Sequence, residues 1–226
     1  MVAVTGACAA AGLVIGGITM TGLAMKFADL VTAITHGHLF FSLIVAAILT
    51  IILGMCMPTP SAYILAAALI APLLVKEFHV PLLAAHMMIL YFAVMSAITP
   101  PVAVAAYAAA PLADANPLEI AFLAVRLALG AFVVPIAFIY NQELLMLGEW
   151  QNILITLFKT GAGLILLAIA VEGFIKSKVT WWNRIILAVA GVYFLIPGVF
   201  AISIATGLVV FYLILLQIQN KFTKKI

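Results

Sequence analysis

Long apolar segments follow one another along almost the whole chain, and they constrain its fold more than any other feature. An α-helix needs roughly 20 apolar residues to cross the hydrocarbon core of a bilayer. Hydrophobic residues make up 68% of the sequence and charged residues 8%, whereas a soluble domain is about half apolar and about a quarter charged. The sequence therefore predicts an all-α integral membrane protein, with apolar segments at about 4–25, 39–57, 62–75, 81–97, 102–112, 118–140, 153–174, 185–200 and 202–218.

Charged residues fall mostly between these segments and predict how the chain lies in the membrane. Basic residues cluster in the loop at 176–184 and in the tail at 220–226, whereas 141–152 carries Glu143 and Glu149 but no Lys or Arg. Because cytoplasmic loops are enriched in Lys and Arg, we expect the 176–184 loop and the C-terminus inside, and 141–152 outside. The net charge of +3 comes with no basic stripe, so no nucleic-acid partner is expected.

Two interruptions of the apolar pattern carry no charge and are rich in proline and hydroxyl groups. Gly54–Tyr63 reads GMCMPTPSAY, and Ser96–Pro101 reads SAITPP. Proline lacks a backbone N–H and clashes with the preceding helical turn, so both stretches predict broken helices. Lipid cannot hydrogen-bond the backbone groups that a break leaves open, so each break must be buried in protein or line a wet cavity.

The chemistry of these breaks suits an ion or an anionic substrate. Open carbonyls and hydroxyl oxygens are hard ligands for a small cation, and the following half-helices, near Ala62 and Val102, begin with positive partial charge. Paired, proline-interrupted short segments are typical of the binding site of a secondary transporter. Simple helix kinks or tight turns are the alternative. The hydroxyl groups in question belong to Thr59, Ser61, Ser96 and Thr99.

The residues around the breaks resemble a known transporter family, the large membrane subunit of tripartite ATP-independent periplasmic (TRAP) transporters, particularly fused permeases of the TAXI type. The resemblance covers about residues 3 to 145 and is carried by four stretches. These are ACAAAGLVIGGITMTGLAMKF (7–27), LGMCMPTPSAYILAAALIAPLLV (53–75), VPLLAAHMMILYFAVMSAITPPVAVAAYAAA (80–110) and ANPLEIAFLAVRLALGAFVVPIAFIYNQELL (115–145).

The resemblance implies an elevator-type transporter with inverted repeats, a re-entrant hairpin with its tip at Gly54–Ser61, and a discontinuous helix broken at Ser96–Pro101. It implies a bacterial inner-membrane permease for Na⁺-coupled uptake of small organic acid anions, such as dicarboxylates, delivered by a periplasmic binding protein. It also implies Na⁺ as the coupling ion, expected at Gly54, Thr59, Ser96 and Thr99, and no other cofactor is expected. The full set of expected ion- and substrate-binding positions is Gly54, Pro58, Thr59, Ser61, Ser96, Thr99, Pro100 and Pro101.

Departures from the family pattern concern the hairpin tip and the length of the chain. Cys56 stands where glycine is usual, Pro60 where Thr or Ser is usual, and Ser61 where Ala is usual. The resemblance is to the C-terminal part of that subunit, so the expected domains are its second inverted permease repeat at 1–145 and additional C-terminal transmembrane helices at 146–226. Transport is expected to require the remaining repeat and a small membrane subunit as partners, in addition to the lipid bilayer.

The sequence also bears on two other classes of function. An intramembrane enzyme is not expected, because the sequence contains no HExxH, no GxSxG and no nucleophile–base constellation. A structural or assembly subunit that transports nothing, or a remnant of a permease, is the alternative. Among the histidines, His86 is expected to be satisfied by packing, although it could also face the ion site.

Overall fold

The computed structural model describes residues 2–55, 57–174, 179–198 and 203–208, and its elements are helices throughout. Cys56, Lys176, Lys178 and most of the predicted final span at 202–218 fall outside these ranges, as does the basic tail. The chain folds as two compact units, Met1–Ile139 and Tyr140–Ile226. The helices are α1 (Val2–Thr21), α2 (Leu23–Ile34), α3 (Leu39–Met55), α4 (Thr59–Pro72), α5 (Leu82–Met95), α6 (Val104–Ala113), α7 (Pro117–Leu127), α8 (Leu129–Tyr140), α9 (Trp150–Glu172) and α10 (Trp181–Leu195).

The length and composition of the helices confirm a multi-span membrane protein. Thr59–Glu77 and Trp150–Glu172 are each long and apolar enough to cross a bilayer. Two further spans arise if each of two bent helix pairs is taken as one broken span. The 19-residue helix Thr59–Glu77 is longer than the segment predicted at 62–75, because α4 continues through Pro72 into a π-helical turn at Leu73–Glu77.

The first predicted span, 4–25, is not a single straight helix. Gly22 adopts a left-handed conformation (φ 64°), which ends α1 at Thr21 and starts α2 at an angle of 71° to the final part of α1. Thr21 Oγ1 also donates to the carbonyl oxygen of Gly17 at 2.7 Å, within its own helix. Glycine tolerates positive φ without steric cost, so Gly22 allows the bend between α1 and α2.

The region after the second break folds back sharply. Helices α6 and α7 meet at 115°, because Asp114 is left-handed (φ 46°) and a new helix begins at Pro117. Asn116 caps that helix, its side-chain oxygen accepting from the Leu118 amide at 2.9 Å. The span predicted at 118–140 is divided at Ala128 into α7 and α8.

Alanine dominates the packing of α3, α4 and α5, which contact one another in the first unit. Lipid is as apolar as leucine, so helices in a membrane associate through close backbone approach more than through burial of large side chains. Small residues at the contacts allow that approach, and larger ones such as Leu43, Ile70 and Met88 fill the remaining space. The alanines that are at most 1% exposed at these contacts are Ala46, Ala62, Ala66, Ala84, Ala85 and Ala93.

In the second unit, α9 and α10 pack against each other at two glycines. A Cβ atom on Gly163 would lie 2.9 Å from the Gly191 carbonyl oxygen, and one on Gly191 would lie 2.9 Å from the Gly163 carbonyl oxygen. The C-terminal carbonyls of α9 are held by Arg184, which donates to Ala170 at 2.7 Å and to Val171 at 2.6 Å. These contacts make the two helices a closely packed pair.

Candidate functional site

The predicted interruption after α3 is present, and proline determines where the next helix starts. Pro58 is extended (ψ 141°), and its carbonyl oxygen accepts from the Ala62 amide at 3.0 Å, which is the first hydrogen bond of α4. Thr59 and Pro60 occupy the first turn, where a missing N–H costs nothing. Thr59 is half-buried and Pro58 is exposed. Ser61 is 1% exposed and makes a polar interaction within the protein.

The second interruption is also present and consists of a short 3₁₀ turn followed by two prolines. Helix α5 ends at Met95, the 3₁₀ turn covers Ser96–Ile98, and a cis peptide joins Pro100 to Pro101. In a continuous helix the Pro101 nitrogen would donate to the Ala97 carbonyl, but proline has no N–H to give. The chain resumes as α6 only after Ala103, which is left-handed (φ 35°).

The hydroxyl groups of the second interruption bond to their own helix. Ser96 Oγ donates to the Ala93 carbonyl oxygen at 2.7 Å, and Thr99 Oγ1 donates to the Met95 carbonyl oxygen at 2.8 Å. Ser96 is 3% exposed and Thr99 is half-buried. A hydroxyl that donates its proton keeps its oxygen lone pairs, so both oxygens remain able to accept a further bond or bind a cation.

Gly54 and Ser96 bring the two interruptions together. Gly54 is buried near the end of α3, and a Cβ atom built on it would overlap Ser96 Oγ and lie 2.8 Å from Ser96 Cβ. The same atom would be 3.4 Å from the Ala93 carbonyl oxygen. Only glycine allows α3 to approach the 3₁₀ turn this closely. The structure thus joins Gly54 to Ser96, whereas Pro58 and Thr59 lie at the start of α4, and Thr99, Pro100 and Pro101 lie beyond the turn.

The polar contact between α4 and α5 involves His86. Tyr63, one turn after Thr59, makes a hydrogen bond through its hydroxyl group to His86 Nδ1 at 2.9 Å. The two rings also contact edge to face, with centroids 6.0 Å apart. His86 is therefore engaged in packing between helices, which is the interpretation that the sequence favoured.

The sequence did not single out a second polar cluster, which lies in the second unit. Lys159, in the middle of α9, is 9% exposed, and its ammonium donates to Asn141 Oδ1 at 3.1 Å and to the Ile196 carbonyl at 3.2 Å. Asn141 Nδ2 in turn donates to the Leu195 carbonyl at 2.7 Å. The signal available in the sequence was a lysine inside the apolar run at 153–174, which marks a functional candidate in a membrane segment.

Comparison with known proteins identifies the family. A family model described as "Tripartite ATP-independent periplasmic transporter, DctM component" matches residues 1–144, more than half of the 226-residue chain. No curated protein and no solved structure shows a significant match. The matched region contains both helix interruptions and the Gly54–Ser96 contact. The chain therefore belongs to the DctM component family of tripartite ATP-independent periplasmic transporters, in which it is a membrane permease component.

Proposed function

We propose that this chain takes part in Na⁺-coupled uptake of small organic acid anions across the bacterial inner membrane, with an ion site at the two helix interruptions. A periplasmic binding protein would deliver the substrate. The other permease repeat and a small membrane subunit would complete the transporter. The observation that carries this proposal is the direct contact of Gly54 with Ser96, since it brings two uncharged, proline-broken segments to one place.

The ligand chemistry at that place supports a small hard cation. Ser96 and Thr99 both donate to carbonyls of α5 and keep oxygen lone pairs for a cation. Pro101 leaves the Ala97 carbonyl without its helical partner, and Thr59 adds a half-buried hydroxyl at the start of α4. Broken helices whose carbonyls coordinate Na⁺ recur in secondary transporters.

The direction of the following helix supports an anionic substrate beside the cation. Helix α6 begins at Val104 and has 10 residues, so its first amides and its dipole present positive partial charge at the break. A carboxylate held there would neutralise part of that field and lie close to the bound cation. Their mutual attraction would couple the binding of Na⁺ to the binding of the anion.

Binding of Na⁺ to the purified chain tests the ion site without knowledge of the substrate. We expect Na⁺ to raise the Tm of the detergent-solubilised protein relative to K⁺ or choline at equal ionic strength. At ten times its Kd, Na⁺ should raise Tm by about 3–6 °C, since ligand binding to the native state alone stabilises it. The variant Thr99→Val should lose most of this shift, because it keeps the shape of the side chain but removes its oxygen.

The control variant is Thr50→Val. Thr50 is 1% exposed in α3 and donates to the Ala46 carbonyl at 2.7 Å, so it matches Thr99 in its hydrogen bond but lies outside both breaks. It should keep the full response to Na⁺. An equal Tm of the wild-type protein in Na⁺, K⁺ and choline would contradict the proposed Na⁺ site. In that case, the alternative function, a non-transporting assembly subunit, would be favoured if the wild type assembled normally with its partner subunits and Thr99→Val disturbed that assembly.

A further inference from the structure

A cavity in the second unit has a positive and a negative side chain on its wall. Its volume is about 190 Å³, and Lys159, Glu143, Asn141 and Thr156 all line it. Thr156 and Lys159 are three residues apart on one face of α9, so both polar groups reach the cavity from the same side.

Lys159 brings a basic group to this cavity, and no carboxylate among the described residues hydrogen-bonds it. Its two hydrogen-bond partners, Asn141 Oδ1 and the Ile196 carbonyl, are neutral oxygens, and an ammonium has three N–H donors. Asn141 is held in place because its amide nitrogen bonds the Leu195 carbonyl. Neutral partners orient a buried cation but do not cancel its charge, which is costly inside a membrane segment.

Glu143 supplies the opposite charge on the same cavity wall without bonding Lys159 directly. It lies in the 3₁₀ turn Gln142–Leu145, which the Leu144 amide closes onto the Asn141 carbonyl at 3.2 Å. Across the described part of residues 140–174, no ion pair joins Glu143 to Lys159, although its charge acts on the lysine. A cation and an anion that face one cavity separately are complementary to a ligand that carries both charges.

We propose that this cavity binds a small zwitterion, with its anionic group on Lys159 and Thr156 and its primary ammonium on Glu143. This is the chemistry of the phosphoethanolamine headgroup of a phospholipid, and also of a free amino-acid-like solute. Ile155, which is 59% exposed, lines the cavity as well, so the cavity reaches the apolar outer surface of α9. Trp150 at the start of the same helix is 68% exposed, as expected of an aromatic residue at the membrane interface.

Lipid binding to the purified full-length chain tests the proposal. Affinities of one phosphatidylethanolamine, one phosphatidylglycerol and one phosphatidylcholine with the same acyl chains are measured by native mass spectrometry. We expect phosphatidylethanolamine to bind at least about tenfold more tightly than the other two, since only it offers both a phosphate and N–H donors. Glu143→Gln should abolish this preference, and Lys159→Met should weaken binding of all three lipids.

The matched control is Glu149→Gln, which removes an exposed carboxylate that does not line the cavity and should leave the preference unchanged. If Lys159→Met does not fold, Glu143→Gln alone decides. Displacement of the lipid by soluble phosphoethanolamine would identify the zwitterion itself as the ligand, and lipid binding that resists it would identify an anchored headgroup. Equal affinity of the wild type for all three lipids, or a preference that survives Glu143→Gln, would overturn the proposal.

Discussion

At the scale of single residues, the absence of a side chain at one position connects the two halves of the candidate ion site. Gly54 has a negative φ and lies inside a helix, so its conformation does not require glycine. What requires glycine is the space, because Ser96 and the Ala93 carbonyl already occupy the place of a Cβ atom. The contact also keeps Ser96 buried, with its hydroxyl group directed to its own helix.

The variant Gly54→Ala should therefore lower the free energy of unfolding by about 1–3 kcal/mol, the usual cost of overpacking. The second-site change Ser96→Gly should recover part of that loss, because it removes both atoms that a Cβ at position 54 would meet. Ser96→Ala should recover less, since Ser96 Cβ would remain 2.8 Å from the new methyl group. Thermal unfolding in detergent measures all three effects.

Gly16→Ala provides the control for this series. A Cβ at Gly16, in α1, would have nothing within 4 Å, and alanine is the better helix former by up to about 1 kcal/mol. It should be neutral or slightly stabilising. If Gly54→Ala lowered the free energy of unfolding no more than Gly16→Ala does, the close approach of α3 to the 3₁₀ turn would be contradicted.

At the scale of elements, helices in this protein are ended and bent by local chemistry and paired by small residues. Gly22 and Asp114 adopt left-handed conformations where the chain bends, and prolines interrupt helices after Met55 and after Ile98. Pairing of helices depends instead on small side chains, as at the crossing of α9 and α10. There, Gly163 and Gly191 place the two backbones in direct contact.

The crossing predicts a contrast between two glycines of α9. Gly163→Ala would place a methyl group 2.9 Å from the Gly191 carbonyl oxygen and 2.9 Å from Phe194 Cβ, so it should destabilise the protein by about 1–3 kcal/mol. Gly161→Ala, in the same helix, meets nothing within 4 Å and should be neutral or stabilising. Unfolding of the two variants in the same detergent compares them, and equal stability would contradict the crossing.

At the scale of the whole molecule, the membrane determines which surfaces are apolar. Large hydrophobic side chains that would be costly in water are exposed along α9, among them Phe158 (76% exposed) and Ile165 (63%). They are compatible with lipid as the surrounding solvent. The orientation of the protein in the membrane remains a prediction from the positive-inside rule, with 141–152 outside and the 176–184 loop inside.

Cysteine labelling in intact cells checks that orientation. In a background without Cys8 and Cys56, Glu149→Cys should react with a membrane-impermeant maleimide, and Thr180→Cys should react only after the membrane is opened. Both positions are exposed, so a difference between them reports sidedness and not burial. The reverse pattern would show that the basic loop faces the periplasm.

The sequence alone determined that this protein lies in a membrane, that its helices break near Pro58 and Pro100, and which family it resembles. These features depend on solvent preference and on the missing N–H of proline, both of which belong to residues and their immediate neighbours. The sequence missed the bend at Gly22 and the division of 118–140 at Ala128, because short breaks without proline do not interrupt an apolar pattern.

Only the tertiary structure decided which distant residues meet. That Gly54 lies against Ser96, and that Lys159 bonds Asn141 and Ile196, depends on how whole helices pack after their apolar pattern has placed them in lipid. An apolar pattern places a helix in lipid but carries little information about which helix will be its neighbour. In lipid the choice of neighbour rests on small residues and buried polar groups, whose partners become visible only when the chain is folded.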